Sequence, residues 1–293
     1  MSGTCRICGS RRTTPWLECG EWRYSGCTEC SAVWLDPLPG DDWAENFYDL
    51  NYFLGGRRGG YTNYAADESR HRSNAAARVK LARQFGAAPL ERWLDIGCAL
   101  GFTLDEARKA GFTAVGVELS AWARTVARER FGLEVFATLR EARREMPGGV
   151  DVVSFFQALE HVHDPAAALD DARACLRTNG LLLVETWDRG SKVARLFGRH
   201  WQQIMPPSVL WLLDRKSLAF AIERAGFRVR TILRTSKAVS VGWALRILAD
   251  KEPGIFAPAL RALEHSSIRK IGFTYGLGDL VTVVAVAQGD ITH

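Results

Sequence analysis

Residues Trp93–Ser120 read WLDIGCALGFTLDEARKAGFTAVGVELS. Apolar Trp93, Leu94 and Ile96 suit a buried strand, and Gly97-x-x-x-Gly101 makes a tight turn after it. From Thr103 to Ala110 the apolar spacing becomes helical, and Thr113–Val117 is a second apolar strand ended by Glu118. A strand, glycine turn, helix and strand closed by an acid form the unit that holds an adenosine-containing cofactor. The glycines let the backbone come close to a ligand, and the free N–H groups of the helix favour an anionic group. Glu118, at the tip of the second strand, is placed to accept both ribose hydroxyls.

The glycine spacing selects the cofactor. Nicotinamide and flavin sites use G-x-G-x-x-G, which this turn lacks. Asp95-Ile96-Gly97-Cys98-Ala99-Leu100-Gly101 resembles the E/D-x-G-x-x-x-G motif of class I S-adenosylmethionine-dependent methyltransferases. Val150–Phe156 with Gln157-Ala158-Leu159-Glu160-His161-Val162-His163-Asp164-Pro165 is similar to that family's fourth strand and its LEHVxDP continuation. Leu176–Val184 resembles its LKPGGxLLV passage into the fifth strand. The resemblance implies an α/β fold, a doubly wound, mostly parallel seven-stranded Rossmann-like sheet. It also implies a site for S-adenosylmethionine at Asp95, Gly97, Gly101, Glu118, Leu119 and Gln157. Gly97 and Gly101 would admit the methionine part, Leu119 would lie against the adenine, and Gln157 would face the methionine amino group. Asp95 would either touch the ligand or fix the turn.

Four of the seven cysteines form Cys5-x2-Cys8 and Cys27-x2-Cys30, with eighteen residues between the pairs. That spacing fits a zinc ribbon, in which each pair supplies two thiolates from one knuckle. A site closed by four cysteines argues for structural Zn2+ and against catalysis. Cys19 lies between the pairs, as a bystander or a substitute ligand; Cys98 and Cys175 sit in apolar contexts as small buried residues.

At 293 residues the chain can bury one good core and a small accessory module. No apolar run approaches the ~18 residues that span a bilayer, and no apolar stretch near Met1 reads as a secretory signal, so a cytoplasmic location is expected. Residues 1–40 read as the zinc-binding module and 41–89 as a connector or lid, whose Phe47–Phe53 part resembles the YYDxxY that follows such modules. Residues 90–293 read as the methyltransferase domain, with a helical insertion at about 239–272 before an antiparallel last strand. Gly55–Gly60 is either a lid hinge or a surface loop. Twelve Lys or Arg fall between Arg189 and Arg246 against Asp214 and Glu223, while the remainder is mildly acidic. That basic segment is either a solvated face or a surface for an anionic partner.

Methyl transfer to a hydroxyl needs alignment and a base. The candidates at the sheet's carboxyl edge are Glu160, His161, His163, Glu185 and Asp188. His161 either takes the proton or anchors the next helix, and His163 is expected to be exposed. His200-Trp201-Gln202 with Met205–Trp211 resembles the W…PPxHL passage of related methyltransferases, but Val209 stands where they carry a His, so His161 or His200 would serve instead. Gln157-x-x-Glu160-His161 also resembles the E-x-x-E-H of ubiquinone-biosynthesis O-methyltransferases, with an amide at the first position that weakens a divalent-cation site. The leading expectation is O-methylation of a sugar, nucleotide-sugar or glycan, an anionic acceptor bound between the Gly59–Tyr64 loop and the basic segment around Arg189–Arg199. Tyr61, Tyr64, Trp187 and Trp201 would offer it stacking faces. The alternative is an RNA methyltransferase whose zinc ribbon grips nucleic acid; a small-molecule acceptor is favoured because no N-P-P-[FY] motif is present.

Overall fold

The N-terminal segment is an antiparallel meander of β1 (Thr13–Cys19), β2 (Trp22–Cys27) and β3 (Val33–Leu35). Cys19 pairs with Trp22 across Gly20, which sits at φ +61, the backbone a tight hairpin needs. The computed structural model describes residues 3–40, 42–55, 60–61, 63–251, 253–263 and 266–289.

The central sheet takes β4 (Arg92–Ile96), β5 (Thr113–Val117), β6 (Glu134–Phe136), β7 (Val150–Phe156) and β8 (Leu176–Trp187), all mutually parallel. A two-residue β9 (Trp211–Leu212) leaves this layer and pairs with β3, extending the N-terminal meander to four strands. The sheet is finished by β10 (Phe227–Arg234) and β13 (Leu280–Ala287), and β13 runs antiparallel to both β8 and β10. The order is β10-β13-β8-β7-β4-β5-β6, seven strands as the sequence implied. Between β4 and β7 the chain reverses its direction of winding, so the loops at their carboxyl ends part and open a crevice.

Gly180–Trp187 of β8 and all of β13 are buried on both faces, which explains their unbroken apolar runs: helices cover each side. The helix Glu68–Gln84 lays Ala75, Val79 and Ala82, at four- and three-residue steps, onto the sheet. Asp164 caps the helix Pro165–Cys175 by accepting from Ala167 N–H at 3.0 Å, with Pro165 at its first turn. The Asp-Pro pair of the motif is thus a helix start.

The stretch before β13 holds helices Val241–Lys251 and Pro253–Ala262, as expected. They are clasped by a ribbon, β11 (Lys237–Ser240) against β12 (Gly272–Tyr275), which the sequence did not suggest. Residues 188–214 carry a short helix at Lys192–Phe197 as well as β9.

Candidate active site and cysteine cluster

Two cavities meet at the carboxyl edge of the sheet. The first, about 370 Å3, lies over the Gly97 turn and is lined by Gly97, Glu118, Leu119, Gln157 and aromatic rings of the connector, among them Tyr48, Tyr52 and Tyr64. The second, about 480 Å3, runs under the insertion and is lined by Glu160, Trp187, Gln202, Trp243 and Arg246 among others. Tyr52, Tyr61, Gln157, His161 and Lys237 line both.

In the first cavity Glu118 accepts from Ala99 N–H at 2.9 Å through Oε2 and from Ser120 N–H at 2.8 Å through Oε1. Each oxygen keeps a lone pair for a further donor. Burial pushes its carboxyl up, while those two N–H groups oppose the shift. Gly97 sits at φ +76, and a Cβ there would come within 2.6 Å of the Ala158 Cβ. Gly101 has a different reason from the one expected. Its missing side chain leaves room for Leu133, whose Cδ1 a Cβ would meet at 2.4 Å, so this glycine serves packing below the turn. Asp95 does not line the cavity either: its Oδ1 accepts from Ser154 at 2.6 Å, and Ser154 accepts from Trp93 Nε1 at 2.8 Å. Burial pushes Asp95 up to about 7 although Ser154 and Arg78 oppose it.

Gln157 is held at φ +57 with its side chain already engaged. Its Nε2 donates to Glu185 at 3.0 Å, and its Oε1 accepts from Lys237 Nζ at 2.8 Å. Arg78 donates to the same Glu185 oxygen. Burial works against the Glu185 charge, but Arg78, with Gln157 and Lys237, outweighs it and holds the carboxyl below its ordinary range. The Arg78 Nε is buried without a partner at the cavity wall. Neither Arg78 nor Lys237 was singled out from the sequence, since a lone cation in a helix or short strand carries no pattern.

Glu160 and His161 lie on a 3₁₀ turn, Leu159–His161, just beyond β7. His161 Nδ1 lies 2.5 Å from the Ser208 carbonyl oxygen. A carbonyl only accepts, so Nδ1 carries the hydrogen and Nε2 keeps its lone pair. Burial lowers the imidazole below its ordinary 6.5, with Ser208 opposing, so the ring is neutral at neutral pH. Glu160 is 3% exposed, and neither of its oxygens has a hydrogen-bond partner of good geometry. Burial pushes it up to about 7, with its own backbone N–H, the nearby Thr186 hydroxyl and the Lys237 charge opposing the shift.

Other expected site residues fall elsewhere. His200 is exposed and lines neither cavity, so it is not brought to the crevice. His163 is not exposed: its Nδ1 accepts from Arg6 at 2.9 Å and its Nε2 donates to the Pro39 carbonyl at 2.8 Å, joining the cysteine-bearing segment to the sheet. Asp188 accepts from Arg215 at 2.8 Å and from Gly190 N–H. Trp201 is buried with its Nε1 on Asp279 at 3.0 Å and offers no stacking face, whereas Trp187 does line the second cavity. Gly59 and Thr62 of the Gly59–Tyr64 loop, and residues 56–59 of the Gly55–Gly60 stretch, lie outside the described residues; Tyr61 reaches both cavities and Tyr64 the first. The basic segment is partly neutralised, because Arg189 pairs with Asp214 at 2.8 Å, Arg215 with Asp188 and Arg246 with Asp250, and Lys237 is buried.

At the other end of the chain the thiols of Cys5, Cys8, Cys27 and Cys30 lie within 4.8 Å of one another. Cys5 and Cys30 sulfurs are 3.6 Å apart and Cys8 and Cys27 sulfurs 3.5 Å apart. Four thiolates at ~2.3 Å from one tetrahedral ion would be about 3.8 Å apart, so the donor set suits zinc. Gly9 N–H bonds Cys5 O at 2.8 Å and Ser31 N–H bonds Cys27 O at 3.1 Å, each closing a knuckle. Cys19 lies outside the cluster, and Cys98 and Cys175 are buried in the core.

Residues 66–232 match the family model described as a methyltransferase domain. Among curated proteins, the chain is similar to the ubiquinone biosynthesis O-methyltransferase of Ruegeria sp. (strain TM1040), 29% identical over 161 residues, which cover 48% of this chain and 65% of that one. The protein of the same name from Bordetella bronchiseptica is 31% identical over 114 residues, covering 36% of this chain and 47% of the relative. The match thus spans about half to two thirds of those relatives' length. Two solved structures share the fold. A putative methyltransferase from Bacillus halodurans C-125 has a TM-score of 0.53 at 16% identity, covering 73% of this chain and all of that one. The complex of the Haloferax volcanii Trm112 methyltransferase activator with a putative methyltransferase gives 0.52 at 17%, covering 77% of this chain and 93% of the matched one. With the family matched over more than half its length and the crevice formed at the switch point, the chain belongs to the class I S-adenosylmethionine-dependent methyltransferases.

Proposed function

We propose that the chain moves a methyl group from S-adenosylmethionine to a hydroxyl of a small anionic acceptor, a sugar, nucleotide-sugar or glycan unit. When bound, the cofactor supplies an electrophilic methyl group whose bond to the sulfonium sulfur breaks with the electron pair left on sulfur. Glu118 accepts from the ribose hydroxyls, Leu119 flanks the adenine and Gly97 leaves room for the methionine part. Asp95 and Gly101 hold the turn from beneath, and Gln157 acts as a tether beside the crevice. The acceptor occupies the 480 Å3 cavity, a volume suited to a small molecule.

One observation carries the reading. His161 lines both cavities as a neutral imidazole whose Nδ1–H is pinned to Ser208, so Nε2 is available as a base on the shared wall. A nitrogen or carbon acceptor does not call for that arrangement as a hydroxyl does. The Trp187 and Trp243 rings with the Gln202 and Gln203 amides suit a sugar, and Lys237, Arg269 and Lys270, with Arg246 shared with Asp250, outnumber Asp67 and Glu160 in favour of an anion. At the cysteine cluster, Cys5, Cys8, Cys27 and Cys30 hold one structural zinc.

A second reading, RNA methylation, is favoured by a separate surface cleft lined by Lys192, Arg195, Lys216 and Arg234. Transfer of labelled methyl to a panel of sugar nucleotides, glycans and unmodified ribosomal RNA separates the two. We expect turnover on a sugar hydroxyl. Turnover on the RNA and on none of the others overturns the acceptor assignment.

A further inference from the structure

Lys237 opens β11, far in sequence from every motif that marks the cofactor site, yet it lines both cavities. The backbone of the next residue is clamped: Asn74 Nδ2 donates to Ala238 O at 3.0 Å and Asn74 Oδ1 accepts from Ala238 N–H at 2.7 Å. The Lys237 Nζ is held by the Gln157 amide oxygen at 2.8 Å, and the other end of that amide is fixed by Glu185, itself fixed by Arg78. An ammonium has three donors. Gln157 takes one, and among the described residues no second hydrogen bond reaches the Nζ, which leaves two donors uncommitted in a side chain that lines both cavities.

We propose that Lys237 is a catalytic residue that donates a hydrogen bond to the acceptor oxygen as it becomes an oxyanion. The inference rests on the hydroxyl-acceptor reading above. The acceptor's O–H proton goes to His161 Nε2, an oxygen lone pair forms the new C–O bond, and the C–S bond breaks with its pair on sulfur. Lys237 gives up no proton; it places positive charge where negative charge develops. The relay from Arg78 through Glu185 and Gln157 sets Nζ in place before the acceptor arrives, so little reorganisation is needed.

The groups facing the ammonium are Arg78, His71 and Asp67 from the segment around helix Glu68–Gln84, Glu185 from β8 and Glu160 from the 3₁₀ turn. The Trp243 ring approaches from helix Val241–Lys251, with its centre 5.7 Å from Nζ. Burial, and Arg78 after it, bring the lysine down to about 8, while Glu185, Glu160 and Asp67 oppose the fall. The ammonium is therefore present at neutral pH and is lost as pH rises through about 8.

The test uses the full chain saturated with S-adenosylhomocysteine and 4-nitrophenol as a phenol probe whose anion has a distinct absorption band. Lys237→Met and Lys237→Arg are compared with the unaltered protein, each first titrated with S-adenosylhomocysteine by calorimetry. We expect cofactor-product affinity within about threefold in all three proteins. The bound probe should ionise roughly one pH unit or more below its free value in the unaltered protein and in Lys237→Arg, and lose that shift in Lys237→Met. No shift in the unaltered protein, the same shift in Lys237→Met, or loss of the shift in both variants overturns the proposal. Loss of S-adenosylhomocysteine binding in both variants also overturns it, since Lys237 would then be a support of the cofactor cavity. The hydroxyl-acceptor reading fails independently, by a product methylated on nitrogen or carbon, and that outcome leaves the probe's spectrum unchanged.

Discussion

Glu118 and His161 are two side chains on which the proposed chemistry turns, and each is prepared by its neighbours. Glu118 arrives with one backbone N–H on each oxygen, so its carboxylate is oriented before any ribose is present. On the proposed reading, replacing it by alanine removes a charge-assisted pair with the ribose worth on the order of 2–3 kcal/mol. S-adenosylhomocysteine affinity measured by calorimetry is expected to fall roughly 30- to 150-fold; an unchanged value removes Glu118 from the cofactor site. His161 is kept neutral by burial, with its tautomer set by Ser208. If His161 is the base, as proposed, its neutral ring is the active form, and with its pKa below the ordinary 6.5 the acid limb of the pH–rate profile is expected below that value. Activity is lost as pH falls through the lowered pKa, and His161→Ala should reduce turnover while cofactor affinity stays intact. A variant with full turnover would show that the imidazole is only an anchor.

Secondary-structure elements were legible wherever the signal was local. The strand–glycine–helix–strand order and the apolar runs of β7, β8 and β13 each announce themselves within a dozen residues. What escaped the sequence depends on contacts between distant elements. Lys237 reads as one surface cation among twelve until β11 is laid beside the helix Glu68–Gln84. Arg189 and Arg215 read as free charge until Asp214 and Asp188 are placed against them. Trp201 and His200 are adjacent in sequence, yet one is buried and the other exposed. Gly101 was recognised correctly as required and given the wrong reason, since Leu133 belongs to the far end of the following βα unit. Gly101→Ala should cost about 1–2 kcal/mol for the left-handed backbone and about 1–3 kcal/mol more for the clash with Leu133. Urea unfolding monitored by fluorescence is the measurement, and a loss under 1 kcal/mol means that the turn relaxes.

At the scale of the whole molecule, the cysteine-bearing meander braces the loop that orients His161. Tyr24 donates to the Val209 carbonyl at 2.9 Å, Leu35 N–H bonds the Leu210 carbonyl at 2.8 Å, and β3 pairs with β9. Ser208, whose carbonyl pins His161, is the next residue along, and Tyr48 donates to that same carbonyl at 3.2 Å. Zinc bound once per chain is therefore expected to influence turnover at a distance. In Cys5→Ser/Cys27→Ser, metal analysis should find the zinc lost, the melting temperature should fall, and turnover should drop more than S-adenosylhomocysteine affinity. A doubly substituted protein that keeps its zinc and its melting curve contradicts the assignment of those ligands.

The pairing of β3 with β9 has a temporal side as well. Tyr24 and Val209 are 185 positions apart, and at ~5–20 residues per second a ribosome takes roughly 10–40 s to travel between them. Throughout that interval the outer edge of β3 has no strand to dock on. An unpaired edge is an invitation to other chains. The brevity of β3, three residues long, is then a safeguard during synthesis, because it offers a passing strand too little to hold.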